Sequence, residues 1–187
     1  MKAVLTAALL AIALPVPAMA AELEMTKTTF PPLEMPVGAL SKAKYDESWV
    51  AAQSGQRAPA PPLSLVTIVA VGSTNAGGWE YMTHNDQLST TVDHGGAELK
   101  VVVVEVGYGR APIASMNGGV LPRSAEYLTE GLCLNGGDYT PSCAPGQTIA
   151  AWRRYYDLAG EQGGNFTYQN TSINAPFNTL STRINIR

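Results

Sequence analysis

Two histidines and two aspartates fall within eleven residues, His84, Asp86, Asp93 and His94, in the stretch THNDQLSTTVDHGG. The chain has no other histidine. Neutral imidazole and carboxylate both ligate metal ions, and a carboxylate beside an imidazole can orient a general base. If residues 88–92 form one arm of a hairpin, the four side chains converge. They are therefore the candidate catalytic set, for hydrolysis with or without a metal ion. The segment shows no HExxH or HxH ligand spacing, and no GxSxG surrounds a serine. Asn, Asp and Gly at these positions also make turns, and DHGG leads straight into a valine-rich run. The sequence names no metal and no cofactor, and it leaves open whether the protein is an enzyme.

A further carboxylate, Glu105, sits inside VVVVEVGYG. A charge on a buried strand is costly unless it is paired. Arg110 is near in sequence, and Arg153 is a possible partner. A glycosidase-like pair would need a second acid ~5–10 Å away. Gly107 and Gly109 end the strand more readily than they cradle phosphate, since no helix or lysine follows as a P-loop requires. The stretch NTSINAP is dense in side chains that bond their own backbone and so specifies a shaped turn. Its Asn170 and Asn174 amides, with the rings of Tyr168 and Trp79, are the candidate ligand-binding set. Cys133 and Cys143 enclose LNGGDYTPS, a turn-forming stretch, and read as one disulfide in an exported chain.

These residues need a scaffold, and the patterning is mostly that of strands. LSLVTIVAV, from Leu63, is apolar on both alternating faces and β-branched, as a central strand should be. WEYM and LSTTV read as further strands. ELKVVVVEVGYG is a second central strand, and both its faces must be covered. PRSAEYLTEG is expected to form a short helix, capped by Ser124 and stopped by Gly131. AAWRRYYD is expected to turn at AGEQGG and return as NFTYQ, making Tyr155, Tyr156, Phe166 and Tyr168 aromatic cross-strand neighbours. In TLSTRINIR, Leu180, Thr182, Ile184 and Ile186 alternate with polar residues, giving a strand with one wet face. The fold class that follows is all-β, an antiparallel β-sandwich-like domain with one or two short helices. The alternative is an α+β fold with a single covered sheet.

The first twenty residues have a basic start at Lys2, an apolar run and the small-x-small pattern AMA, the arrangement of a cleaved export signal. Removing them takes away Lys2 and leaves eleven Lys and Arg against fifteen Asp and Glu, a net charge of −4. That balance argues against nucleic acid, which needs a dense cationic surface. No later stretch approaches the roughly 20 apolar residues of a membrane span, so no stable membrane insertion is expected after cleavage. Residues 21–62 hold six of the remaining eleven prolines and read as a lead-in, with a possible short helix in SKAKYDESWVAAQ. Residues 63–187 form the β-rich domain. The expected location is secreted or periplasmic.

EVGYGR and GNFTYQNTSINAPFNTLSTRINI, with GGWEY and DHGG, resemble a family of small secreted bacterial proteins of unknown function, the YolA-like family, over residues 63–187. The resemblance implies an exported bacterial protein and carries no activity or catalytic residue with it. Three functions fit the residues. The first is an exported domain binding an extracellular or envelope ligand, a glycan or a protein. The second is a secreted hydrolase using the His84/Asp86/Asp93/His94 region, and the third is a secreted toxin or effector that uses residues 21–62 as a leader or docking segment.

Overall fold

The computed structural model describes residues 60–82 and 87–187. The export signal, the possible helix in 41–53, and the side chains of His84 and Asp86 lie outside the described residues. Ten strands follow in chain order: β1 (Leu65–Ser73), β2 (Gly78–Tyr81), β3 (Lys100–Val106), β4 (Ile113–Met116), β5 (Gly119–Val120), β6 (Glu126–Asn135), β7 (Asp138–Thr140), β8 (Ala151–Asp157), β9 (Gly164–Thr171) and β10 (Thr179–Ile186). They form a six-stranded sheet in the order β2-β1-β3-β8-β6-β7 and a four-stranded sheet in the order β10-β9-β4-β5. The paired strands run antiparallel throughout. The architecture is the all-β, sandwich-like one that the alternating patterns imply.

The valine run occupies the centre of the larger sheet and is buried on both faces. Val101 and Val103 point toward the smaller sheet and pack with Met116, Phe166, Tyr168 and Ile184. Val102, Val104 and Val106 point away and pack with Ala70, Leu132, Ala151 and Tyr155. A β-bulge between Ile68 and Ala70 lets β1 place both Val69 and Ala70 in that second cluster, since an extra residue shifts the alternation by one. On β10, Ile184 and Ile186 are buried while Arg183 and Asn185 are exposed, as period-two patterning requires.

The expected helix in PRSAEYLTEG is instead a single 3-10 turn, Arg123–Ala125, running into β6. Among the described residues there is no α-helix. Local helix propensity is overridden here by tertiary pairing: Glu130 sits opposite Arg153, and Thr129 opposite Arg154. The expected strand LSTTV is also absent, apart from one bridge between Ser89 and Asn185. Its backbone finds other partners, because the Thr91 and Val92 N–H groups donate to the Glu80 carboxylate at 2.7 and 3.0 Å. The aromatic expectation needs correction too. β8 and β9 belong to different sheets, so Tyr156 meets Phe166 and Tyr168 across the sandwich, with ring centroids 5.9 and 5.8 Å apart. Tyr155 lies on the opposite face, against Tyr127.

Cys133 on β6 is bonded to Cys143, with Cα atoms 5.4 Å apart, and closes the β6–β7 hairpin together with the loop that follows it. Such a bond belongs to an oxidising compartment. Closing a loop of 10 residues constrains the unfolded chain by about 2–3 kcal/mol in the chain-entropy account. The Cys133→Ser, Cys143→Ser double variant should therefore lower unfolding free energy by about that amount, measured as a shift in urea midpoint with an unchanged far-ultraviolet circular dichroism spectrum.

Candidate functional site

The two residues of the candidate catalytic set within the described structure point in different directions. Asp93 is exposed, and its Oδ1 accepts the Gly95 N–H at 2.9 Å, a local turn of the kind its sequence neighbours suggest. His94 is fully buried. Its Nε2 lies 3.0 Å from Glu80 Oε2 and its Nδ1 3.3 Å from Ser73 Oγ. With a neutral ring, Nε2–H donates to the carboxylate and Nδ1 accepts the serine hydroxyl. The order Ser–His–Glu is that of a hydrolytic relay. However, Ser73 is fully buried, and its Oγ also accepts the Ala76 N–H at 3.0 Å. In this arrangement the hydroxyl closes a turn and does not meet a substrate.

The same group ties three chain segments together. Glu80 holds the 87–94 segment through Thr91, Val92 and His94, and the His94 N–H donates to the Arg187 carbonyl at 2.5 Å. Burial alone would raise the Glu80 pKa. The Thr91 and Val92 N–H groups and the His94 and Thr91 side chains outweigh it, and the net shift is downward from 4.5. No sequence motif announces Glu80 or Ser73 as partners of His94. Among the described residues no three His, Cys, Asp or Glu side chains cluster to hold a metal ion.

Of the candidate ligand-binding set, Tyr168 and Asn170 are buried and turn inward on β9, where they meet Glu105. The Tyr168 hydroxyl and Asn170 Nδ2 each donate to Glu105 Oε1 at 2.5 Å. Arg154 Nε donates to Glu105 Oε2 at 2.9 Å. Glu105 therefore pairs with Arg154, and neither Arg110 nor Arg153 is its partner. The Asn170 amide oxygen accepts the N–H groups of Ala111 and Thr171, fixing the chain that leaves β3. Gly109 must lack a side chain here, since a Cβ would lie 2.1 Å from Asn170 Nδ2. Asn174 donates to the Ala60 carbonyl. Trp79 is half-buried beside the second core cluster.

A second acid, Glu126, shares Arg154 with Glu105. Arg154 bridges the two, its Nη1 donating to Glu126 Oε1 at 2.6 Å. The Tyr156 hydroxyl donates to Glu126 Oε2 at 3.2 Å. A bulge in β6 between Glu126 and Leu128 sets Glu126 and Glu130 on opposite faces. Glu130 meets Arg153 and Tyr155 on the far side, at 2.7 and 2.6 Å. Arg153 thus shares Glu130 with Tyr155 on one face, while on the other Arg154 bridges Glu105 and Glu126 and Tyr156 bonds Glu126. Burial opposes the Arg154 charge, but Glu105, Tyr168 and Glu126 hold its pKa above the usual arginine value. Burial, then Glu105, pushes the Tyr168 hydroxyl far up. Burial, then Glu126, does the same to Tyr156. Both hydroxyls remain donors across the whole neutral range.

Glu126 and Tyr156 form the floor of a cleft of about 630 Å³. Pro112 and Leu121 are among the residues of its apolar wall, and Arg110 and Arg123 also line it. Both of these arginines are exposed, and among the described residues neither forms an ion pair. Exposure then falls inward: the Glu126 side chain is 21% exposed, Arg154 16% and Glu105 0%. A second concavity, about 780 Å³, lies on the outer face of the smaller sheet, over Thr167, Gln169 and Arg183.

Two outcomes test these contacts. Glu105→Ala leaves Tyr168 and Asn170 unpaired and Arg154 with one carboxylate, and should cost roughly 3–5 kcal/mol in guanidinium unfolding. Glu80→Gln should destabilise the fold by about 1–3 kcal/mol at pH 7. The Glu80 pKa is depressed in the folded state, so its contribution is present above the unfolded value of 4.5 and is lost as pH falls through the folded one. The gap between wild type and Glu80→Gln should close in unfolding curves taken in increasingly acid buffer.

Comparison with curated proteins returns no match. Residues 58–186 match the family described as Domain of unknown function (DUF4879), a span that takes in all ten strands and the whole Glu105–Arg154–Glu126 network, and the chain belongs to that family.

Proposed function

We propose that this is an exported binding domain that works outside the cytoplasm and holds an extracellular or envelope ligand in the cleft above Glu126 and Tyr156. One observation carries the reading. The cleft falls within the roughly 300–1,000 Å³ of small-ligand sites, which combine apolar walls with a few convergent polar groups. The groups beneath it are already held in place by Arg154 and Glu105, so little ordering cost falls on binding. The oxidised Cys133–Cys143 pair and the export-signal pattern of residues 1–20 support the location. The resemblance of residues 63–187 to the YolA-like family implies the same compartment.

Ala111 is exposed and lines the cleft, so Ala111→Trp obstructs it without altering charge or core. Full-length protein should retain one or more glycans from an array of neutral and acidic saccharides, with a saturable isotherm by calorimetry. Ala111→Trp should abolish that binding while unfolding at the wild-type temperature. Unchanged binding by the tryptophan variant removes the cleft as the site.

A further inference from the structure

Resting on that reading of the cleft, we infer that the ligand is an acidic saccharide: an oxyanion, carboxylate or phosphate, borne on a polyhydroxylated ring. Arg110 and Arg123 engage the oxyanion, and Glu126 accepts from the ring hydroxyls. The charges lead to this ligand. Glu105 and Glu126 share one buried cation, Arg154, so the network beneath the floor carries one surplus negative charge. Arg110 and Arg123 line the same cleft as Glu126, and among the described residues no carboxylate neutralises them. Counting all five groups, the cleft has a net charge of +1 in a chain whose overall charge is −3. Guanidinium groups match planar carboxylates and phosphates through paired N–H donors.

Neither arginine is placed by chance geometry. The Arg110 N–H donates to the Thr171 carbonyl, and the next N–H, of Ala111, donates to Asn170 Oδ1. The Arg110 backbone is thus fixed by the amide that Glu105 orients. Arg123 opens the 3-10 turn that follows Pro122 and leads directly to Glu126. A simple anion would gain from the arginines but would leave Glu126 facing it as a like charge. Hydroxyl donors on the same molecule resolve this, because Glu126, with its Oε2 on Tyr156 and its Oε1 on Arg154 and Thr129, retains acceptor capacity for a further donor. A neutral saccharide would satisfy the glutamate and leave both cations unmatched.

Calorimetric titration of full-length protein with galacturonate oligomers, glucose 6-phosphate and uncharged galactose oligomers separates the possibilities. Saturable binding of the uronate or the sugar phosphate is expected, weakening as salt rises, with the neutral oligomer at least about tenfold weaker. Binding of the uronate alone assigns a carboxylate source and binding of the phosphate alone a phosphate source, and either supports the inference. The Arg110→Ala, Arg123→Ala double variant should lose about 10–100-fold in affinity for the acidic probe, as expected for two charged hydrogen-bonding groups. Equal affinity for neutral and acidic oligomers, blocked by Ala111→Trp but untouched by the double arginine variant, overturns the inference and leaves the cleft standing as a binding site. Absence of acidic-saccharide binding to a wild-type protein that binds another glycan also overturns it.

Discussion

The burial of one carboxylate organises this domain. Glu105 is fully enclosed between the two sheets, and an ionised carboxylate moved there without partners would cost several kcal/mol. The fold meets that constraint with three donors from two different sheets: Arg154 on β8 in the larger sheet, and Tyr168 and Asn170 on β9 in the smaller. A purely apolar interface would tolerate small slips of one sheet over the other. Three donors aimed at two oxygens do not, so the charge selects a single registration of the sandwich. Through Asn170 the constraint extends to the backbone at Ala111 and Thr171, and hence to the crossing from the large sheet to the small one.

Neighbouring sequence choices make sense as consequences. Gly109 lies against the Asn170 amide, and Gly107, at a φ of 89°, lies where a Cβ would meet the Pro62 carbonyl at 2.0 Å. The two glycines of GYG are therefore demanded by close approach on two sides. The RRYY and EYLTE segments are matched in a similar way. Alternation along β8 sends successive arginines to opposite faces. Glu126 and Glu130 share the same parity in sequence and would fall on one face of a regular strand. The bulge at Tyr127 breaks that parity, so Glu130 meets Arg153 while Glu126 joins Glu105 on Arg154. Leaving Arg153 without Glu130 would strand a buried charge against apolar neighbours.

What was legible in the sequence was what repeats along one strand. Period-two alternation identified β10, two-sided apolar runs identified β1 and β3, and close cysteines in a chain with an export-signal pattern identified the Cys133–Cys143 bond. Signals that depend on a distant partner were illegible. EYLTE satisfies helix spacing as well as strand spacing, and only Arg153 and Arg154 across the sheet decide the matter. LSTTV has strand-forming residues, but Glu80 captures its N–H groups. The expense of burying Glu105 could be anticipated from its setting, whereas the identity of its partners could not. Arg154, rather than Arg153 or Arg110, follows from strand pairing with β3. Tyr168 and Asn170 drew notice as possible ligand contacts because they are polar and aromatic, features that serve an internal charge equally well.

The buried network and the cleft are therefore parts of one arrangement. A carboxylate exposed on a flexible loop binds weakly because its own freedom must be lost on association. Glu126 has already lost it, since Arg154, Tyr156 and Thr129 hold both its oxygens. Arg154 is in turn held by Glu105, and Glu105 by the opposite sheet. The rigidity at the floor of the cleft derives from a charge seated between the sheets and fully buried there. The cost of enclosing that charge is offset within the fold by its three donors, and Arg154 leaves one negative charge uncompensated between Glu105 and Glu126. Replacing the internal pair with well-packed apolar groups could preserve stability, but it would release Glu126 and remove the counter-charge that Arg110 and Arg123 face. The polar centre thus does two things in the fold: it joins the two sheets, and it fixes the position of Glu126.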